Sequence, residues 1–339
     1  MIKIDLITGF LGAGKTTFIK KYAEYLVDSG YHVGIIENDF GAVNIDMLML
    51  QDLLGDRLDV EQIVGGSIVT DWKRRFRTKL ISMAMRRFNR IVVEPSGIYD
   101  TDAFFDVLRE EPIDTWYEAG SIFTIVDAGT DENLSEPEEY LMVSQASGAG
   151  KILLSKIRQV PEDASAKTVA HINRMMAAFR CPRRFYLPET HAENLSSDTA
   201  DRKQKEDFSS PDCVLAKCWE DLTPEDFRML SEAGWVQTDH EKLWFDPKKA
   251  FSSLFFMNVR LSENSLKKAI EALLSAPECG TVFRIKGYLP LPGGEWLQFN
   301  ATPRQSVFQK TSLGQEILIV IGQDLQEAAI RPYFFDHVY

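Results

Sequence analysis

Eight residues near the N-terminus, Gly9-Phe10-Leu11-Gly12-Ala13-Gly14-Lys15-Thr16, constrain this chain more than any other stretch. They satisfy G-x-x-x-x-G-K-[ST] and stand between an apolar run, Ile2 to Thr8, and an amphipathic one, Thr16 to Ser29. Glycines let such a loop curl so that successive backbone N–H groups point inward, with the positive end of the following helix behind them. That combination is a cradle for phosphate. In it Lys15 would reach the β- and γ-phosphates and the Thr16 hydroxyl would ligate Mg²⁺, while Gly9, Gly12, Ala13, Gly14 and Thr17 line the same turn.

The pattern that follows agrees with a phosphate loop of this kind. Short β-type runs alternate with helical ones, the signature of a parallel sheet with flanking helices, and hence of an α/β class fold. Strands are expected at Ile2 to Thr8, His32 to Glu37, Arg90 to Glu94, Gly120 to Asp127, Ile152 to Ser155 and Arg184 to Leu187. Helices are expected at Thr16 to Ser29, Thr70 to Phe88, Thr101 to Arg109, Glu138 to Ala146 and Asp163 to Phe179. This makes an N-terminal nucleotide-binding domain over 1–189. Residues 190–212 are rich in Ser, Asp, Glu and Lys and read as a linker or exposed loop. Beyond it, Thr223-Pro224 marks a helix start. Strand patterns near Leu254 to Leu261, Thr281 to Leu289, Glu295 to Phe299, Ser306 to Gln309 and Ile317 to Ile321, with a helix from Asn264 to Ser275, predict a smaller α+β domain over 213–339. A length of 339 residues suits two such domains.

Charge and composition exclude several functions. With 38 Lys and Arg against 50 Asp and Glu, the chain carries a formal −12 and disfavours a general nucleic-acid partner. No apolar run approaches the roughly 18 residues of a membrane span, so no membrane role is expected. The start Met1-Ile2-Lys3-Ile4-Asp5 lacks the basic and apolar regions of a secretion signal, and four cysteines are too few for a disulfide framework. Both point to a cytoplasmic location.

A phosphate loop needs a carboxylate near Mg²⁺ at the end of a second buried strand. Arg90-Ile91-Val92-Val93-Glu94-Pro95-Ser96-Gly97 offers Glu94 to hold the metal or orient its water. The Gly97 N–H could meet the γ-phosphate, a contact present with triphosphate and lost with diphosphate. Glu37-Asn38-Asp39-Phe40-Gly41 follows the second strand, and Asp39 and Asp46 are equal candidates for a metal-side or water-positioning acid.

Taken together these residues resemble the CobW-like P-loop GTPases, relatives of the UreG and HypB metallochaperones. Gly9 to Thr17 is similar to the family's G-F-L-G-A-G-K-T-T. Glu37 to Gly41 with Ile45-Asp46 resembles its E-N-E-F-G-x-x-x-[IV]-D switch, and Glu94-Pro95-Ser96-Gly97 its E-x-[ST]-G. Thr124-Ile125-Val126-Asp127-Ala128 resembles its T-V-V-D-A strand, and Arg284-Ile285-Lys286-Gly287 the R-x-K-G of its C-terminal domain. The resemblance implies a P-loop NTPase sheet, GTP as substrate with Mg²⁺, and catalysis by Lys15 with Glu94 or Asp39 positioning water. It also implies a client that is a metalloenzyme or cofactor-dependent protein.

Two departures qualify that expectation. The family's metal-binding C-x-C-C falls at Ser67-Ile68-Val69-Thr70, which has no thiolate; of the acids nearby, Glu37 is the remaining candidate for a transition metal. The base-reading N-K-x-D becomes Ser155-Lys156-Ile157-Arg158. Ser155 and Lys156 are still expected beside the nucleotide, but Arg158 has no acceptor for guanine, so either Glu162 or Asp163 replaces the missing carboxylate or ATP is also used. Metal delivery, an assembly chaperone working through contacts, and a nucleotide-binding regulatory module with little hydrolysis all remain open. No arginine finger is evident, so slow intrinsic turnover is expected.

Asp71 to Arg90 carries eight basic residues and one acid, with Trp72, Phe76, Leu80, Met83 and Phe88 at helical spacing. A solvated helix face explains the charge, and a docking patch for an acidic partner or nucleic acid is the functional alternative. Cys213 and Cys218 lack further ligands at zinc spacing and read as free thiols, and the five histidines are scattered.

Overall fold

A computed structural model of the chain describes residues 1–39, 55–64, 69–188, 210–244, 251–312 and 314–335. These divide into two compact units: the first takes in Met1–Asn38, residues 55–63 and Val69–Leu243, and the second takes in Asp39, Val64 and the described residues from Trp244 onward. The expected Asp46 position, the region corresponding to C-x-C-C up to Ile68, and most of the expected linker lie outside the described residues.

In chain order the first unit contains β1 (Ile2–Thr8), α1 (Lys15–Asp28), β2 (Val33–Asp39), β3 (Leu58–Val64), α2 (Val69–Ala84), β4 (Arg90–Glu94) and α3 (Asp102–Leu108). It continues with α4 (Ile113–Trp116), β5 (Tyr117–Asp127), α5 (Glu136–Ser147), β6 (Lys151–Ser155), α6 (Ala164–Ala178) and α7 (Pro224–Ser231). The sheet order is β3-β2-β4-β1-β5-β6, and β2, β4, β1, β5 and β6 pair in parallel. β4, a central parallel strand covered on both faces, is buried along its whole length, and β6 at the end of the sheet is buried as well. This is the expected P-loop NTPase architecture. The helices present apolar stripes at helical spacing: Phe18, Tyr22 and Leu26 on α1, and Trp72, Phe76, Leu80 and Met83 on α2.

Three expectations change. α2 ends at Ala84, and Phe88 packs on the core from the following turn. Arg184 to Leu187 forms no strand beyond a single bridge between Tyr186 and Cys213. The expected boundary at 190–212 gives way to one at Leu243, because the segment after it is built into the first unit. Leu215 adds an edge to β6: its N–H donates to the Ile152 carbonyl, and its carbonyl accepts from the Leu154 N–H, both at 2.9 Å. Phe227 of α7 packs on Phe18, Tyr22 and Tyr25 with ring centroids 5.4–6.4 Å apart. α7 itself starts as expected, with the Thr223 hydroxyl accepting from the Asp226 N–H and the Asp226 carboxylate accepting from the Thr223 N–H.

Five of the eight basic residues of the stretch are paired within their own unit. Lys73 pairs with Asp106, Arg77 with Glu110, Lys79 with Glu61, and Arg86 with Asp59 and Glu61, while Arg90 is buried against Asp5. That is the pattern of a solvated, ion-paired face.

The second unit contains β7 (Ser252–Phe256), α8 (Glu263–Leu274), β8 (Thr281–Pro290), β9 (Trp296–Ala301), β10 (Ser306–Thr311), β11 (Ile317–Gln323), α9 (Glu327–Ile330) and α10 (Pro332–Phe335). Its antiparallel sheet runs β10-β9-β8-β11-β7. Leu266, Ala269, Ile270 and Leu273 give α8 one apolar stripe in a core shared with Ile285, Phe299, Leu318 and Phe334. This matches the expected α+β domain. No helix among the described residues is long and apolar enough to cross a membrane.

Candidate nucleotide site

β1 sits between β4 and β5, so the chain leaves its C-terminal end in the crevice where open α/β sheets bind ligands. The loop from Gly9 to Gly14 fills that crevice. At Gly9, φ is 142° and an added Cβ would lie 2.2 Å from the Ile125 carbonyl oxygen, so only glycine lets the loop pass this close to β5. Gly12 and Gly14 also take positive φ, Ala13 is buried with its N–H donating to the Phe10 carbonyl at 3.2 Å, and Thr17 is exposed on the first turn of α1. Lys15, the first residue of α1, folds back so that Nζ donates to the Gly9 carbonyl at 2.9 Å and the Phe10 carbonyl at 3.4 Å.

Thr16 faces the neighbouring strand. Its hydroxyl lies 3.0 Å from both carboxylate oxygens of Glu94, the last residue of β4. Glu37 lies opposite Glu94 in the parallel register of β2 and β4, and both are buried. Neighbouring strands are about 4.8 Å apart, so two buried acids on adjacent strand ends require a nearby cation to stay ionised. A hydroxyl and two carboxylates are hard oxygen donors, a set that fits Mg²⁺ and contains none of the soft ligands that favour zinc. Among the described residues no group of three or more His, Cys, Asp or Glu forms a metal cluster. Asp39 ends β2 two residues beyond Glu37, and its side chain lies outside the described residues.

Gly97 closes the Glu94 side. An added Cβ there would lie 2.7 Å from the Leu11 nitrogen, so the Glu94 to Gly97 turn rests against the phosphate loop. Buried Gln145 of α5 holds that turn, donating from Nε2 to the Gly97 carbonyl at 3.2 Å and the Tyr99 carbonyl at 3.1 Å.

The other flank is formed by the end of β6. Ser155 is buried with its hydroxyl donating to the Val126 carbonyl at 3.3 Å, and Lys156, in a left-handed conformation, donates to Asp127 at 2.7 Å. Arg158 is ion-paired with Asp221, its Nη2 donating to the two carboxylate oxygens at 2.8 and 3.0 Å. The Asp221 charge raises the pKa of the guanidinium further. Asp163 pairs instead with Lys167, whose hydrogen bond lowers its pKa. Trp219, in the same turn as Asp221, stacks obliquely on Phe18 at 5.2 Å. Neither Trp219 nor Asp221 stands out in the sequence: Asp221 lies 63 residues from Arg158 and Trp219 about 200 from Phe18, in a stretch without motif spacing.

Comparison with known proteins follows the same residues. A family model described as the CobW/HypB/UreG nucleotide-binding domain matches residues 3–181. The zinc chaperone YjiA of Escherichia coli K12 is 29% identical over 164 residues, which is 46% of this chain and 49% of that protein. The chain thus spans about half the length of that relative. The zinc chaperone CobW of Pseudomonas aeruginosa is 24% identical over 367 aligned positions, covering 97% of this chain and 89% of the relative. The crystal structure of Zn(II)-bound YjiA GTPase from E. coli covers 98% of both chains at 20% identity, with a TM-score of 0.34. The family match takes in more than half of the chain, including every residue from Gly9 to Lys156 described above. By this match, the chain belongs to the CobW/HypB/UreG family of nucleotide-binding domains.

Proposed function

We propose that this protein binds GTP with Mg²⁺ and hydrolyses it slowly, using the nucleotide to gate contacts with a client metalloenzyme or cofactor-dependent protein. The observation that carries the reading is the Thr16 hydroxyl held 3.0 Å from Glu94 beside a lysine folded into a glycine loop. These are the parts a phosphoryl-transfer site needs in one place. The backbone N–H groups of the loop and the ammonium of Lys15 would bind the β- and γ-phosphates and offset charge as it moves toward the leaving oxygen. Thr16 and Glu94 would hold Mg²⁺, with Glu37 next to them, and the ion would supply positive charge to offset that of the phosphates. Glu94 or Asp39 would orient the attacking water in line with the bond that breaks. Gly97, which rests on Leu11, would register through its N–H whether a γ-phosphate is present.

Zinc chaperones among the relatives favour zinc as the family's cargo, but this chain has Ser67, Val69 and Thr70 where the family carries thiolates. That favours an assembly role through contacts over zinc carriage. One calorimetric series tests the reading on the full chain. GTP with Mg²⁺ should bind the wild type and not Lys15→Ala, and zinc titrated with or without GTP should show no tight stoichiometric site. Unchanged GTP binding by Lys15→Ala refutes the site, and tight zinc binding restores the carrier.

A further inference from the structure

The end of β6, the N-terminal end of α1 and the turn after Leu215 meet on one flank of the phosphate loop. A Cβ added to Gly14 would lie 3.9 Å from the Ser155 Cβ and 3.7 Å from the Trp219 Nε1. The opposite flank is filled by Glu94, Glu37 and the Gly97 turn. A nucleotide with its phosphates in the loop therefore lays its base along the β6 flank. The turn reaches that flank because Leu215 is hydrogen-bonded to β6 and Trp219 is packed on Phe18, so the position of Asp221 is fixed by two anchors. At its rim Asp221 and Arg158 face each other, 54% and 64% exposed.

We propose that Asp221 reads the guanine base, accepting hydrogen bonds from N1–H and the 2-amino group, with Arg158 positioning its carboxylate. The inference rests on the GTP-binding reading above and adds the group that sets base specificity. One nitrogen of Arg158, Nη2, donates to both Asp221 oxygens, at 3.0 and 2.8 Å. A carboxylate offers about four acceptor sites, which leaves two for the two donors that guanine presents side by side. Adenine presents an acceptor at N1 and no 2-amino group, so the same carboxylate repels it. The residue four positions into Ser155-Lys156-Ile157-Arg158 is thus a cation whose partner supplies the acceptor from another element. An exposed ion pair adds little to stability, so substitutions here act on binding and leave folding intact.

The test is the affinity of the full chain, with Mg²⁺, for GTP, ITP, ATP and XTP. ITP lacks the 2-amino group and XTP has a carbonyl in its place. The wild type should prefer GTP over ITP and ATP by about tenfold or more, the usual scale for losing a hydrogen bond to a charged acceptor. Asp221→Ala should bring the three within about threefold of one another. Asp221→Asn keeps the shape and gains an N–H donor, so it should shift preference toward XTP. Arg158→Ala should narrow the GTP preference without reversing it. Melting temperatures close to wild type establish that each variant is folded. A wild type that does not distinguish GTP from ATP, or an Asp221→Ala variant that retains the full preference, overturns the assignment while leaving nucleotide binding in place. Failure of the wild type to bind any of the four, or tripolyphosphate, overturns the GTP reading and this inference with it.

Discussion

Gly97 meets two demands at once. It lies three residues after Glu94 in the same turn, and its missing side chain lets that turn touch the phosphate loop at Leu11. Gly97→Ala would place a methyl 2.7 Å from the Leu11 nitrogen and 2.9 Å from its Cδ2. The side-chain atom can move away; the backbone nitrogen can do so only by shifting the loop. Overpacking of this kind costs about 1–3 kcal/mol of stability. Displacing phosphate-binding groups by a few tenths of an ångström should lower GTP affinity about tenfold. Urea denaturation and calorimetry measure the two effects, and an alanine variant with wild-type affinity would show that the loop does not depend on this contact. Residues of this sort were legible from local spacing: Lys15 and Thr16 from the glycine pattern, Glu94 and Gly97 from their place after an apolar run. Asp221 was not, since an ion pair formed across sixty-odd residues leaves no periodic trace in sequence.

Elements are locked together below the site by one buried network. Asp5 on β1 accepts from Arg90 Nε and Nη2 on β4 at 2.7 and 2.8 Å, from the Tyr22 hydroxyl on α1 at 2.8 Å, and from the Ser121 N–H on β5 at 2.7 Å. Arg90 also donates to the Ser231 carbonyl at the end of α7 at 2.7 Å. Burial opposes both charges. For Arg90 the Asp5 carboxylate outweighs that penalty and pushes the guanidinium pKa above its ordinary value. Replacing one member leaves the other charge buried without its counter-ion, which costs about 3–5 kcal/mol. Asp5→Asn should lose stability on that scale in urea denaturation, and a loss below about 1 kcal/mol would mean that the pair is not ionised in the folded state. In sequence Asp5 and Arg90 were merely the polar residues of two strands. The strands themselves were legible from the apolar residues Ile2, Ile4, Leu6 and Ile7 of β1 and Ile91 to Val93 of β4. β3 was not, because Leu58-Asp59-Val60-Glu61 carries acids that serve Lys79 of α2 and Arg86 of the turn after it. Arg184 to Leu187 misled for the opposite reason, an apolar-looking run with a partner at only one residue.

For the whole molecule, the placement of 210–243 decides what the nucleotide-binding unit is. Composition suggested that the second domain begins once the polar stretch ends, yet Leu215, Trp219, Phe227 and Ser231 all contact the first unit. Polarity marked an exposed stretch correctly, but exposure of a loop does not require that the chain after it belongs to a new core. Three aromatic rings of α1, those of Phe18, Tyr22 and Tyr25, face Phe227, each such pair contributing about 0.5–1.5 kcal/mol beyond the area it buries. Without residues 213–243 those rings, the β6 edge and one bond from Arg90 lose their partners together. A fragment ending at Leu243 should therefore melt cooperatively and bind GTP, whereas one ending at Asp212 should be less stable by several kcal/mol, on the scale of burying two or three large side chains. The shorter fragment should also expose apolar surface to a hydrophobic dye and lose GTP preference, since Trp219 and Asp221 go with the deleted segment. Circular-dichroism melts and nucleotide titrations of the two fragments decide the matter. Equal melting temperatures and equal affinities would place the functional boundary back at the polar stretch and make residues 213–243 an accessory to the fold.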